Sequence, residues 1–322
     1  FNLITMKINE QANIVFMGSS EFGLPILNAL NNEFGIKCVV TLPDKPQGRG
    51  LKLIPTPIKK RALELNIPVL QPEKLKDEEF ITQLKSYEPD IICVIAFRIL
   101  PKIVYEIPSI GTFNIHPSLL PKYRGAAPLN WTILNGDSET AITSFLLQDK
   151  LDAGDIILQK KYNIPDGWTA GDLYDFMSKE SVSFGIDTCK KLLAGDFVPL
   201  KQDDTQATPA PKLFAENSEI NWKQDSRTIR NFIHGHSPNP GAWTLFQGKR
   251  LKIYRVEYSE SGKGEAGTYI IDKNKFHVHC KTGTISLLEF QLPDKKAVTF
   301  KQFINGYRGK KVGKMGNNNE LE

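Results

Sequence analysis

Asn114 and His116 stand two residues apart in the run from Gly111 to Gly125, and a second group, Leu151-Asp152-Ala153-Gly154-Asp155, follows some 35 positions on. Side chains alternate faces along an extended segment, so Asn114 and His116 share one surface and Ile115 lies opposite. Pro117 and Pro121 end that strand, which puts the amide and the imidazole at its C-terminal end, where open α/β sheets hold their ligands. A carboxylate from Asp152 would complete an Asn, His, Asp set suited to acyl-type chemistry. Taken alone, the pair is better explained by a hydrogen-bonded core histidine and an asparagine beside a turn.

The elements around the pair alternate. Apolar runs at 14–17, 38–41, 69–70 and 91–97 read as buried strands, with amphipathic helices expected over 24–32, 57–65 and 78–86. This βαβ order implies a parallel sheet with right-handed crossovers and helices on both faces. Further strands are expected at 113–116, 141–147 and 156–163. Pro128 opens a helix, and Thr169 with Asp172 resembles a capping box for a long helix that Gly195 ends. Residues 201–213, polar and carrying two prolines, read as a linker. Beyond it, short strands separated by turn residues such as Gln247-Gly248 suggest a small OB-like β-barrel. The expected organisation is a Rossmann-like α/β domain over 6–200, the linker, a basic barrel over 214–316 and a tail over 317–322; residues before Met6 are left out of the fold reading.

The chain has 322 residues, 40% hydrophobic and 24% charged, an ordinary balance for two globular domains. No apolar run reaches the roughly 20 residues a spanning helix needs, and no secretion signal is visible, so no membrane contact is expected. Four scattered cysteines without CxxC spacing imply reduced thiols and a cytoplasmic setting. Charge is uneven: from Pro211 on there are 19 Lys and Arg against 11 Asp and Glu, whereas the preceding residues carry 22 against 25. A basic C-terminal third suits either a polyanion partner or a merely solvated surface.

Other motifs are weaker. Gly18 to Gly23 follows the first strand but lacks G-x-G-x-x-G spacing, so a tight turn is favoured over a nucleotide site. His234 with His236, and His277 with His279, are close pairs without the partner ligands that zinc requires; no metal is expected. Ser118 lacks a G-x-S-x-G elbow. The long turn-rich segment 43–53 carries Lys45, Arg49 and Lys52 around two glycines, a composition able to embrace phosphates or to remain solvated.

Together, residues 14–18, 42–57, 114–128, 151–155 and 232–243 closely resemble the methionyl-tRNA formyltransferases, within the broader family that uses 10-formyltetrahydrofolate. The resemblance runs nearly end to end. It implies that Asn114, His116 and Asp152 form the catalytic set, that Ser118, Leu119, Leu120 and Pro121 contribute to the folate site, and that the backbone of 95–97 with the 152–155 loop flanks the pterin. It also makes Lys45, Arg49 and Lys52 a tRNA-binding loop. Phe97-Arg98 stands where many relatives carry Tyr-Gly, a change at the rim of the expected cavity.

The implied reaction moves the formyl group of 10-formyltetrahydrofolate to the α-amino group of methionyl initiator tRNA for translation initiation, by a monomeric enzyme. The chemistry is consistent. An α-amino group with a reference pKa near ~7.7, lowered further by esterification of its carboxyl, is largely a neutral nucleophile. Attack on the formyl carbon creates an oxyanion that Asn114 and a protonated His116 would stabilise, each donor contributing ~3 kcal/mol. Asp152 would help relay the proton from the amine to N10. Two alternatives remain at this level: a formyltransferase for a small amine such as glycinamide ribonucleotide or a sugar amine, and a non-catalytic RNA-binding protein.

Overall fold

Strands whose residues are apolar at every position are dictated by a sheet covered on both faces. Ile14–Gly18 (β1) and Ile91–Ile95 (β6) are buried throughout. A computed structural model describes residues 12–47 and 52–316. In chain order, β1 is followed by Leu24–Phe34 (α1), Ile36–Val40 (β2), a hairpin of Lys45–Gln47 (β3) and Lys52–Ile54 (β4), Pro57–Glu64 (α2), Val69–Leu70 (β5) and Glu78–Ser86 (α3). After β6 come Lys102–Tyr105 (α4), Gly111–His116 (β7), Pro128–Leu134 (α5), Glu139–Leu146 (β8), Ile156–Asn163 (β9) and Ala170–Ala194 (α6).

The large sheet has the order β5-β2-β1-β6-β7-β8-β9. Its strands from β5 to β7 are parallel, as the βαβ pattern implies. Strand β8 is not: it runs antiparallel to β7, with Asn114 opposite Phe145 and His116 opposite Thr143. A parallel neighbour needs a crossover that packs on the sheet. The intervening helix α5 instead ties itself elsewhere, Asn130 donating to the Gly235 carbonyl at 2.8 Å. The sheet is therefore mixed, a correction to the all-parallel expectation.

Alternation sorts the core. Val15, Met17, Val40, Ile92 and Val94 pack with Phe80, Ile81 and Leu84 of α3 in one cluster. Ile26 and Leu30 of α1 are fully buried, and Gly185 of α6 lies within contact range of Ile26 and Ile115. Each such side chain contributes about 1.5–3 kcal/mol. Gly18 ends β1 because a Cβ there would sit 2.9 Å from the Ile95 carbonyl oxygen. The glycine-bounded segment 18–23 is thus a tight turn leading into α1, as its spacing suggested.

The contacts divide the chain into two compact units: the described residues up to Gly125 with Ala141–Tyr162 and Asp175–Pro209, and Ala126–Thr140 with Asn163–Tyr174 and the described residues from Ala210. The second unit is built on Ser226–His236 (α7), Ala242–Phe246 (β10), Lys249–Ser259 (β11), Thr268–Ile271 (β12), Phe276–His279 (β13), Thr284–Gln291 (β14), Val298–Thr299 (β15), Phe300–Gly306 (α8) and Val312–Lys314 (β16). Its antiparallel sheet runs β10-β11-β14-β13-β12-β16, and an isolated bridge between Phe246 and Met315 curls the two ends together. The expected Gln247-Gly248 turn has positive φ at both residues, 50° and 73°, which matches the twist of a tight hairpin. Phe246, Tyr269, Phe276 and Phe290 fill the centre.

Helices α7 and α8 escaped the sequence reading. Helix α7 holds both His234 and His236: His234 Nε2 accepts from the Val256 amide at 3.1 Å, and His236 Nδ1 bonds the Phe232 carbonyl at 2.7 Å. Both are satisfied core histidines. Among the described residues, no helix is long and apolar enough to cross a membrane.

Candidate active site

Strand β7 sets the geometry. Ile115 points toward Gly185 of α6, so Asn114 and His116 open on the other face. The chain then folds back over residues 117–125. Ser118 Oγ donates to the Lys122 carbonyl at 2.7 Å, Thr143 Oγ1 donates to the Ser118 carbonyl at 2.7 Å, and Gln159 donates to the Leu120 carbonyl at 3.1 Å. The Leu120-Pro121 bond is cis. Ser118 and Leu120 are buried, Leu120 against Phe145 and Ile156. Of the four residues expected at the folate site, only Leu119 and Pro121 are partly exposed; the Ser118 hydroxyl is occupied within its own loop.

This return brings the Tyr123 carbonyl to 2.8 Å from His116 Nε2. A carbonyl only accepts, so Nε2 carries the proton, and a neutral His116 presents its lone pair at Nδ1. That nitrogen lies 3.9 Å from Asp152 Oδ2. The carboxylate is held in turn by the Gly125 amide, which donates to Oδ2 at 2.9 Å. Asp152 itself has φ +49°, a left-handed conformation that aspartate tolerates better than most residues. Imidazole and carboxylate are both buried, with side-chain exposures of 6% and 9%, in surroundings where charge interactions are strong.

Asn114 is distinct. Its Oδ1 is buried without a hydrogen-bond partner, and a buried polar atom left unpaired costs about 1–3 kcal/mol. The structure brings Asn114, His116 and Asp152 to one end of β7, as the i, i+2 spacing and the distant acid suggested. The backbone expected to flank a pterin begins where β6 stops: Ala96 has φ +46°, and Ser19 donates to its carbonyl at 2.8 Å. Arg98 donates to the carbonyls of Pro72 and Glu73.

Lys45 is exposed on β3, opposite Ile54. Arg49 lies outside the described residues, as does the side chain of Lys52. Sequence reasoning missed three supporting groups. Tyr123 and Gly125, which orient the imidazole and the acid, lay in the opening run but act through main-chain atoms that residue type does not reveal. Gln202, in the polar stretch read as a linker, donates to the carbonyls of Asp152 and Gly154 at 3.0 and 2.8 Å.

The chain matches the family model for formyl transferase over residues 12–186 and that for the formyl transferase C-terminal domain over residues 212–308. It is 40% identical over 311 residues to a methionyl-tRNA formyltransferase of Porphyromonas gingivalis, covering 92% of this chain and 96% of that protein. Identity to the methionyl-tRNA formyltransferase of Clostridium novyi is 43% over 297 residues, covering 91% and 96%. In fold it is similar to a sugar 3N-formyl transferase solved with dTDP and 5-N-formyl-THF, with TM-score 0.65, 22% identity and coverage of 88% of this chain and 99% of that one. A methionyl-tRNA formyltransferase from Clostridium thermocellum superposes with TM-score 0.52 at 20% identity, over 86% and 99%. With both halves matched and identity of 40–43% along nearly the whole length, this chain belongs to the methionyl-tRNA formyltransferase family.

Proposed function

We infer that the chain transfers a formyl group from 10-formyltetrahydrofolate to the α-amino group of methionyl initiator tRNA. The observation that carries this reading is the grouping of Asn114, His116 and the buried Asp152 carboxylate at the end of β7, with the imidazole anchored on Tyr123 and its other nitrogen 3.9 Å from the acid. The folate co-substrate supplies the one-carbon unit, and no metal is required. Leu119, Pro121 and the backbone of 95–97 and 152–155 are the groups offered to it. The Asn114 Nδ2 hydrogens donate to the oxygen of the formyl group and stabilise the negative charge that develops as the amine nitrogen bonds to carbon. His116 Nδ1 takes the proton shed by that nitrogen, the Nε2–H being fixed on Tyr123. The imidazolium is stabilised by Asp152 and returns the proton to N10 as the carbon–N10 bond breaks. The sequence-level picture used a protonated His116 as an oxyanion donor; with Nε2–H bonded to the Tyr123 carbonyl, the role proposed here is base first and acid second.

Acceptor recognition falls to the basic portions. The basic barrel, proposed over 214–316 after a folate-dependent formyltransferase domain over 6–200, holds the acceptor arm through phosphate contacts, while the loop bearing Lys45, Arg49 and Lys52 approaches the acceptor end. Four unpaired, buried cysteines, all with thiols pushed up by burial, support a reducing cytoplasmic setting, and we propose that the enzyme works there as a monomer. One assay tests the whole: purified protein with 10-formyltetrahydrofolate and, in parallel, methionyl initiator tRNA, uncharged tRNA or glycinamide ribonucleotide. Formylation of the charged tRNA alone is expected, with affinity falling steeply as salt rises. Formylation of glycinamide ribonucleotide in its place, or of neither, rejects the reading.

A further inference from the structure

The segment 202–208 follows α6 after a short connection and runs past both loops that carry the candidate catalytic groups, before the first unit ends at Pro209. It lies outside both family-model matches. We propose that this segment is a strap that sets the active-site geometry, with Gln202 as the positioning residue for Asp152. The proposal rests on the catalytic reading given above.

Gln202 is 7% exposed, and its amide is fully used. Nε2 donates to the Asp152 and Gly154 carbonyls, while Oε1 accepts from Arg124 Nε at 3.2 Å and Nη2 at 2.7 Å. One side chain thus joins the loop bearing the acid to the loop whose Tyr123 and Gly125 orient the imidazole and the acid. Asp204 repeats the connection near the surface, bonding Arg124 at 2.8 Å and Lys150 at 2.6 Å. Thr208 completes it: its Oγ1 accepts from the Tyr123 amide at 2.9 Å and its carbonyl from the Arg124 amide at 2.9 Å.

The need for such a strap is visible in the backbone. Asp152 is held in a left-handed conformation that side chains rarely adopt, so the loop relaxes away from it unless surrounding contacts hold it. Gln202 grips its carbonyl while the Gly125 amide grips its carboxylate. Released at the carbonyl, the acid leaves the position opposite His116 Nδ1.

Gln202→Glu separates the two halves of the amide. The carboxylate keeps Arg124 but faces the two carbonyl oxygens with an oxygen in place of a donor. The expected result is a fall in kcat for methionyl-tRNA of about 10²-fold, the scale of an ångström-size misplacement, with KM for the tRNA within threefold of wild type. A residue acting through Asp152 gives non-additive losses: Gln202→Glu with Asp152→Asn is expected to be no slower than Asp152→Asn alone. Multiplying losses, or a Gln202→Glu enzyme with wild-type kcat, overturn the proposal. Hydrogen exchange supplies a readout free of the reaction. Amides of 150–156 are expected to exchange at least tenfold faster in the variant while β1 and β6 stay protected, and unchanged exchange overturns the strap whether or not the enzyme formylates tRNA. Failure of the wild type to formylate charged tRNA counts against the functional reading alone. If Gln202→Glu does not fold, Arg124→Lys serves: it keeps a cation for Asp204 but cannot place two N–H groups on Oε1, and the same faster exchange at 150–156 is expected, its absence being refutation.

Discussion

A methyl group on Gly154 would sit 1.6 Å from the Leu146 carbonyl oxygen and 3.1 Å from the Phe145 ring. Real Cβ atoms keep at least about 3.0 Å from such a neighbour, so Gly154→Ala requires the loop to move by about 1.4 Å. Two bonds stand in the way: Gln202 to the Gly154 carbonyl, and the Leu146 amide to the Asp155 carbonyl at 2.9 Å. Losing both costs about 1 kcal/mol each, and more where a buried carbonyl is left unpaired. The expected destabilisation is about 2–4 kcal/mol. Because Asp152 lies two residues away and its carboxylate is held at 2.9 Å by Gly125, the same shift should lower kcat by about 10²-fold. Urea unfolding followed by circular dichroism, together with steady-state formylation of charged tRNA, reads both effects. A variant with wild-type stability refutes the packing argument. One that is destabilised yet retains wild-type kcat refutes the assignment of the 152–155 loop to the chemistry.

Asn114→Ala should lower kcat/KM by about 10²–10³-fold, the loss of one oxyanion donor, without reducing stability, because Oδ1 has no partner to leave behind; a melting point lowered by several degrees would point to a structural role instead. His234 is buried, and desolvation, with Arg230 and Arg255 nearby, holds it down to about 4. A depressed histidine is neutral when folded but takes up a proton when unfolded. Stability of the second unit is therefore full above about pH 6.5 and is lost on acidification toward pH 4, by about 3 kcal/mol. The difference in stability between wild type and His234→Gln, measured by denaturation from pH 7.5 to 4.5, should shrink as pH falls, and a constant difference would reject this account. Arg49→Ala should reduce formyl transfer with little change in folate binding; full activity together with salt-independent tRNA binding would remove the basic loop from acceptor recognition. Thr299 and Gln302 form a complete capping box at the start of α8, so Thr299→Ala should cost about 1 kcal/mol, read from the shift in urea midpoint.

Residue order alone determined the elements whose patterns are local. The all-apolar strands β1 and β6, the helices α1 to α3, the capping box at Thr169 and the turn at Gln247-Gly248 follow from periodicity and turn chemistry within a few positions. So does the shared face of Asn114 and His116, since a strand's period of two needs no knowledge of what surrounds it. The family resemblance added the roles these residues would play. Helix α7 was hidden because Gly235 and two histidines interrupt its pattern, while the burial of Ile229 and Ile233 that stabilises it arises only against the barrel. The direction of β8 was hidden for a related reason: parallel and antiparallel neighbours share the same alternation, and only the packing of the intervening α5 decides between them. What tertiary structure alone decided is the state of the site. The protonated nitrogen of His116 is chosen by the Tyr123 carbonyl, and the place of Asp152 by the Gly125 amide and Gln202. These partners act through main-chain atoms or across 50 residues of sequence. Every residue carries the same main-chain groups, so nothing in residue type could mark them before the chain folded.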